Sequence, residues 1–236
     1  MIRLHQYPPM FGLPNPSPFC MKLETWLRMT GHPFEIVRVV DPRKGPKGKV
    51  PWIEDGGRTV ADSAFIIDYI KQAYGDPLDA NRGTEERATS LALRRLIEEH
   101  LYWAIAHGRF LDDEVWPSTK TQFLANFPAP LRPLVGRLVR KTVAKSLHLQ
   151  GMGRHSPEDI YRLACEDLTA LSEFLGDKPY FFGGKPSEID ATAYGFLAQV
   201  LWAPGSRRTR EHMTQTRNLP AFCERMKQAF YGGVQS

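Results

Sequence analysis

The sequence predicts a mixed α/β unit followed by an all-helical unit. Three observations carry this. Strand-like and helix-like patterns alternate from Ile2 to Tyr74. A turn-rich stretch, Gly75 to Gly83, follows with Pro77 and Asn81. From Thr84 onward apolar residues recur at helical spacing and no strand pattern returns. The expected division is a first domain over 1–76 and a second over 84–236.

Ile2 to Tyr7 alternates polar and apolar residues, as a half-buried strand does. A Pro- and Gly-rich loop runs from Pro8 to Pro16. Phe19, Leu23, Trp26, Leu27 and Thr30 then repeat at helical spacing, and Gly31 supplies the stop. The β-branched run Phe34 to Val40 predicts a second strand. Lys44 to Lys49 is a basic loop. Trp52 to Glu54 and Arg58 to Ala61 flank Asp55-Gly56-Gly57 and predict a hairpin. Phe65, Ile66, Tyr69, Ile70 and Ala73 mark another helix. The order strand, helix, strand, loop, hairpin, helix makes a compact unit around a mixed sheet.

In the second half, helical periodicity extends from Thr84 to His148, and Gly151-Met152-Gly153 interrupts it. Ser156-Pro157-Glu158-Asp159 opens a helix to Gly176, with a Ser cap, Pro at the first position and acids in the first turn. Ser187-Glu188-Ile189-Asp190 is a capping box with Asp in place of the usual Glu or Gln. A last helix is expected over Leu219 to Phe230.

The chain has 236 residues, enough for a buried core without staples. Its net charge is +5. Part of that charge sits in Arg132, Arg137, Arg140, Lys141 and Lys145, which reads as a solvated helix face or a site for anions. No aromatic residues interleave with these charges, so nucleic-acid binding is not expected. No stretch has the ~18 consecutive apolar residues of a membrane span. The first residues carry no apolar signal core. Cys20, Cys165 and Cys223 are odd in number and lack metal-ligand spacing. No metal and no disulfide framework are expected, and a cytoplasmic location is the default. Cys165 and Cys223 fall on apolar-periodic stretches and read as small buried hydrophobes.

Asn15-Pro16-Ser17-Pro18-Phe19-Cys20 lies between the first strand and the first helix. Ser17 is placed as N-cap and Pro18 as the first helical residue. The unpaired N–H groups of a helix start stabilise an anion, a thiolate included. Ser17 Oγ is placed to donate a hydrogen bond to such a thiolate, though the same serine also reads as a plain cap. The spacing is that of a C-x-x-C redox motif with serine in the first position, which leaves Cys20 as a rival reactive group or a buried hydrophobe. Val50-Pro51 precedes a strand. Asp62 and Ser63 sit at a strand-to-helix junction, where they cap the helix or hold a ligand bearing both ammonium and carboxylate.

Ser17-Pro18-Phe19-Cys20, Gly48-Lys49-Val50-Pro51-Trp52 and Ala61-Asp62-Ser63, in this order on this topology, resemble the glutathione-binding domain of glutathione transferases. The Ser187–Asp190 cap resembles the same family in its helical domain. Leu23 to Arg28, Arg94 to Trp103 and Gln150 to Glu158 are similar to the branch of failed axon connections, related to the metaxins. The resemblance covers almost the whole chain. It implies a thioredoxin-like N-terminal domain and an all-α C-terminal domain. It also implies a homodimer and glutathione as cosubstrate. Val50, beside a cis Pro51, would offer backbone hydrogen bonds to its cysteinyl part, Asp62 and Ser63 would hold its γ-glutamyl group, and Lys49 would also belong to the glutathione site. Many relatives have Glu or Gln where Asp62 stands.

The expected activity is attack of the glutathione thiolate on a small apolar electrophile, by conjugation or reduction. Ser17 is the preferred thiolate donor and Tyr7, at the strand end, a rival. Tyr102, Trp103, His107, Phe110 and Trp116 would wall the electrophile pocket, or else pack as helix core. Lowering a thiol pKa by about two units raises the thiolate fraction at pH 7 roughly 25-fold, while nucleophilicity falls roughly 8-fold. The larger gain comes from holding the reactants together. Since relatives of this branch include adaptors, a non-catalytic binding protein on the same fold is the alternative.

Overall fold

The computed structural model describes residues 1–125 and 127–232. Four strands form one mixed sheet in the order β2-β1-β3-β4. They are β1 (Ile2–Gln6), β2 (Phe34–Arg38), β3 (Trp52–Asp55) and β4 (Arg58–Ala61). β1 runs parallel to β2 and antiparallel to β3, and β3–β4 is the expected hairpin. Its two-residue turn places Gly56 at φ 54° and Gly57 at φ 81°, the left-handed geometry that two-residue hairpin turns require. β2 ends at Arg38, two residues before the apolar run does. It is an edge strand, and its side chains are partly or fully exposed.

Helices α1 (Pro18–Thr30) and α2 (Ser63–Tyr74) cover the sheet. Ile2 and Leu4 of β1, Ile53 of β3, Leu23, Trp26 and Leu27 of α1, and Ile66, Ile67 and Ile70 of α2 form the core between them. α1 stops where Gly31 turns left-handed at φ 69° and donates its N–H to Arg28 O.

The rest of the described chain is helical: α3 (Thr84–Arg95), a π-helical segment (Leu96–Leu101), α4 (Tyr102–Phe110), α5 (Trp116–Phe123), α6 (Arg132–Gln150), α7 (Pro157–Leu175), α8 (Glu188–Trp202), α9 (Arg207–Gln215) and α10 (Asn218–Tyr231). α8 is the buried axis of this half. Every residue from Glu188 to Val200 is buried. The capping box opens it: Ser187 N–H and Oγ both donate to Asp190 Oδ2, at 2.8 and 2.5 Å.

α1 crosses α8 closely because Gly195 has no side chain. A Cβ there would lie 2.8 Å from both Lys22 N and Pro18 O. Helix α9 is absent from the sequence-based expectation. Its run Arg207-Arg208-Thr209-Arg210-Glu211-His212-Met213 buries only Thr209 and Met213 and carries no apolar stripe. Cys223 is buried as expected, whereas Cys165 is only half-buried.

Candidate active site

The sheet register fixes where the chemistry-bearing residues meet. His5 pairs with Trp52, and Trp52 pairs with Ala61, so these three form the last row across β1, β3 and β4. Past that row the chain leaves β1 at Gln6-Tyr7, enters β3 from Pro51, and leaves β4 at Asp62. Residues far apart in sequence are thereby gathered at one edge.

Asn15 closes the loop between β1 and α1. Its Nδ2 donates to Tyr7 O at 2.7 Å, and its Oδ1 accepts from Ser17 N at 3.0 Å. The two ends of the 8–14 loop are held side by side. Ser17 is the N-cap of α1, with φ −94° and ψ 122°, and its Oγ accepts from Cys20 N at 3.4 Å. As acceptor in that contact, the hydroxyl keeps its proton for another partner. Ser17 and Tyr7 are both half-buried. Burial pushes the Tyr7 phenol up to about 12, and Cys20, Tyr102 and Asp41 push the same way.

Cys20 does not suit the rival role. Its side chain is fully buried, and burial raises its thiol to about 12, despite contacts with Ser17 and the Tyr7 backbone that pull it down. A buried neutral thiol is neither accessible nor nucleophilic. Cys20 is a core residue here.

The Val50–Pro51 bond is cis. The loop before it needs Gly45, where a Cβ would approach Lys49 O to 2.6 Å and the Trp52 ring to 2.7 Å. Lys49 is exposed and Val50 half-buried. Asp62 N–H donates to Pro51 O at 3.4 Å, which ties the two segments together. Asp62 caps α2 by accepting from Ala64 N at 3.2 Å, and it holds φ 82°, an uncommon angle for a residue with a side chain. Its carboxylate is exposed and Ser63 behind it is buried. Ser17, Val50, Pro51, Asp62 and Ser63 therefore share one edge, beside two helix N-termini whose dipoles favour anions.

The five aromatic and imidazole residues expected to wall a pocket do not form one wall. Tyr102 faces α1: its ring lies 5.1 Å from Phe19, edge to face, and Trp103 packs on it at 5.2 Å. His107 is buried and turned toward α7, where Nδ1 meets the Tyr161 hydroxyl at 3.2 Å; that hydroxyl donates to Asp112. Burial lowers the His107 pKa, with Asp112 opposing. Phe110 packs between Trp116 and Phe123, at 6.4 and 5.5 Å. Three of the five thus belong to packing among α4, α5 and α7. Adjacent helical positions point in different directions, and sequence spacing did not show which face α1 would take.

Sequence reasoning missed Arg109. It is 5% exposed and donates to Pro16 O at 2.8 Å, to Gln199 Oε1 at 2.8 Å and to Pro204 O at 3.3 Å. Its guanidinium also lies 5.2 Å from the centre of the Phe11 ring. It has no carboxylate partner among the described residues. Desolvation lowers its pKa to about 10, with Tyr102 opposing, so it stays charged at neutral pH. Gln199 completes the clamp by donating Nε2 to Asn15 O at 2.9 Å. The only signal in the sequence is an arginine inside the mostly apolar stretch Ala104 to Phe110, which also holds His107. Among the described residues no His, Cys, Asp or Glu group is placed to hold a metal ion.

Comparison with known proteins agrees with this fold. Residues 18–115 match the family profile of the glutathione S-transferase N-terminal domain, and residues 164–226 that of the C-terminal domain. The chain is 35% identical to an isoprene-epoxide glutathione S-transferase of Rhodococcus, over 98% of this chain and 99% of that protein. It is 33% identical to failed axon connections of Drosophila melanogaster, over 96% of this chain and 57% of that protein. With metaxin-3 of Xenopus laevis it shares 29% identity, over 98% and 77% of the two chains. A glutathione S-transferase of Ceriporiopsis subvermispora, solved with glutathione, superposes with a TM-score of 0.65 at 20% identity, covering 100% of this chain and 98% of that one. A Methylobacterium radiotolerans glutathione S-transferase, solved with glutathione sulfonate, gives 0.63 at 19%, covering 100% and 96%. In its sequence over nearly full length as in its fold, the chain belongs to the glutathione S-transferase family.

Proposed function

We propose that the protein is a working glutathione transferase. It would bind glutathione along the sheet edge and direct its thiolate at a small, largely apolar electrophile. The observation that carries this reading is the convergence of the Ser17 hydroxyl, the cis Val50–Pro51 segment and the exposed Asp62 carboxylate at one end of the sheet. The residues fit the ligand chemically. The free proton of Ser17 suits a thiolate, the Val50 backbone suits a peptide strand, and Asp62 suits an ammonium.

Similarity to the isoprene-epoxide enzyme supports an epoxide as the electrophile class. The balanced step is a ring opening. A carbon–sulfur bond forms, a carbon–oxygen bond breaks, and the alkoxide takes a proton from water. Ser17 would orient the sulfur, and Tyr102, whose ring faces α1, would border the electrophile. We further infer a homodimer and a reducing, cytoplasmic setting, consistent with three free cysteines.

A second reading is a binding protein that keeps the fold without turnover. Similarity to failed axon connections and the metaxins favours it, because those names state no transfer reaction. Calorimetric titration with glutathione, on the wild type and on Asp62→Ala, separates the two. Binding that weakens in the variant, followed by turnover with small epoxides, supports the transferase. No binding at millimolar glutathione removes it and leaves the second reading.

A further inference from the structure

Helix α6 carries an outward face that the transferase reading leaves without a role. It lies between the two segments that match the family profiles. Its sequence, Arg132 to Gln150, holds no acidic residue. Leu131, Leu134, Leu138 and Leu149 are 48%, 56%, 55% and 68% exposed. These positions recur every three, four and eleven residues, so they share one side of the helix. Arg137, Lys141 and Lys145 are exposed on the same side and form no ion pair among the described residues. The inward side is accounted for: Gly136 seats against Leu124 and Trp116, Arg140 binds Leu111 O and Asp113, and Leu147 is buried.

We propose that this face of α6 docks on an anionic lipid surface. Leucines flanked by unpaired cations, with no acid among them, make the pattern of a helix lying in a membrane interface. The leucines enter the headgroup boundary and the long basic stems reach phosphate. A second copy of the chain is a poor occupant, since two-fold pairing would set the cations of this face against those of the partner copy, with no acid on the helix to offset them. Nucleic acid is poor as well, because the face offers leucines and no aromatic ring for stacking. No helix among the described residues is long and apolar enough to cross a membrane, and a helix of this pattern lies in the interface plane.

The test uses the full chain and sedimentation with vesicles of phosphatidylcholine, with and without phosphatidylglycerol. Two variants accompany it, Arg137→Gln/Lys141→Gln/Lys145→Gln and Leu134→Ser/Leu138→Ser. All five positions are exposed, and circular dichroism checks that both variants fold. The wild type should bind only the anionic vesicles, and added salt should weaken it. Each basic residue near such a surface contributes about fivefold, so the triple variant should lose roughly a hundredfold in partitioning. The leucine variant should lose on the order of a hundredfold as well. Absence of binding, equal binding to neutral vesicles, or indifference to both variants overturns the proposal. So does a fall in the mass of the free protein on Leu134→Ser/Leu138→Ser, measured by light scattering, which would make this face a contact between copies.

Discussion

Arg109 Nη1 donates to the carbonyl of Pro16 at 2.8 Å, from the helical half of the molecule to the residue just before Ser17. With Gln199 on Asn15 O, this contact fixes the start of α1 against α4 and α8. It also leaves a positive charge, with no carboxylate beside it, one peptide unit behind the proposed thiolate donor. Replacing Arg109 by Met removes that charge and leaves Pro16 O and Gln199 Oε1 without their donor, at about 1–3 kcal/mol each. The variant should therefore lose about 2–6 kcal/mol of stability in urea unfolding. Removing a nearby cation raises the pKa of a thiol, so the acid limb of the kcat/KM profile should move to higher pH. Arg109→Lys should restore the limb while remaining less stable. An unmoved limb in Arg109→Met would confine the residue to holding the loop.

Ser17 and Tyr7 make separable predictions. Ser17→Ala should cost about 1 kcal/mol of stability, the usual loss at an N-cap. Its turnover should fall on the order of a hundredfold, as when one donor to a developing charge is removed. Glutathione affinity should change little in calorimetry, since Val50 and Asp62 remain. Tyr7→Phe should keep most of the activity. The reverse pattern in steady-state assays would hand the donor role to Tyr7.

The fold was legible in the sequence because its signals are local. Gly31, Ser156-Pro157 and Ser187–Asp190 mark helix ends, and Gly56-Gly57 marks the hairpin. Helix α9 was not legible, since an element held by Thr209 and Met213 alone shows no apolar stripe. The sheet-edge residues were legible as a set of short motifs. The pocket residues were not, because Tyr102, His107 and Phe110 occupy one helix yet face α1, α7 and α5. The Arg109 clamp rests on carbonyls of Pro16 and Pro204 and on the Gln199 side chain, partners that carry no sequence pattern.

Lys22 and Glu98 form an ion pair at 2.6 Å with 0% and 6% of their side chains exposed. Lys22 sits on α1 and Glu98 on the π-helical segment, so the pair pins the two halves together. Removing one partner leaves a buried charge uncompensated, and Lys22→Met should cost about 3–5 kcal/mol. Lys22→Met with Glu98→Leu should recover most of that loss, because a well-packed apolar pair can replace a buried ion pair. Urea titrations of the single and double variants check this. A double variant as unstable as the single one would place the cost in packing against Gly195 instead of in the charge.

Asp190 gives the clearest pH dependence. Burial raises its carboxyl to about 6, although Phe181 N and the Ser187 N–H and Oγ all donate to it and pull the other way. An unfolded chain has this group near 3.9, so between about pH 4 and pH 6 the native state holds more protons. The group's contribution is therefore most favourable below the unfolded value and declines as pH rises through 6, by about 3 kcal/mol over two units. Asp190→Asn cannot titrate. It keeps an acceptor for Phe181 N but turns an amide toward the Ser187 donors, and should cost about 1–3 kcal/mol at neutral pH. The stability gap between wild type and Asp190→Asn should then be widest near pH 4 and shrink as pH rises. Unfolding curves for both proteins at pH 4, 5, 6 and 7 measure that gap. A gap that stays constant would show that Asp190 is ionised throughout and held by its three donors alone.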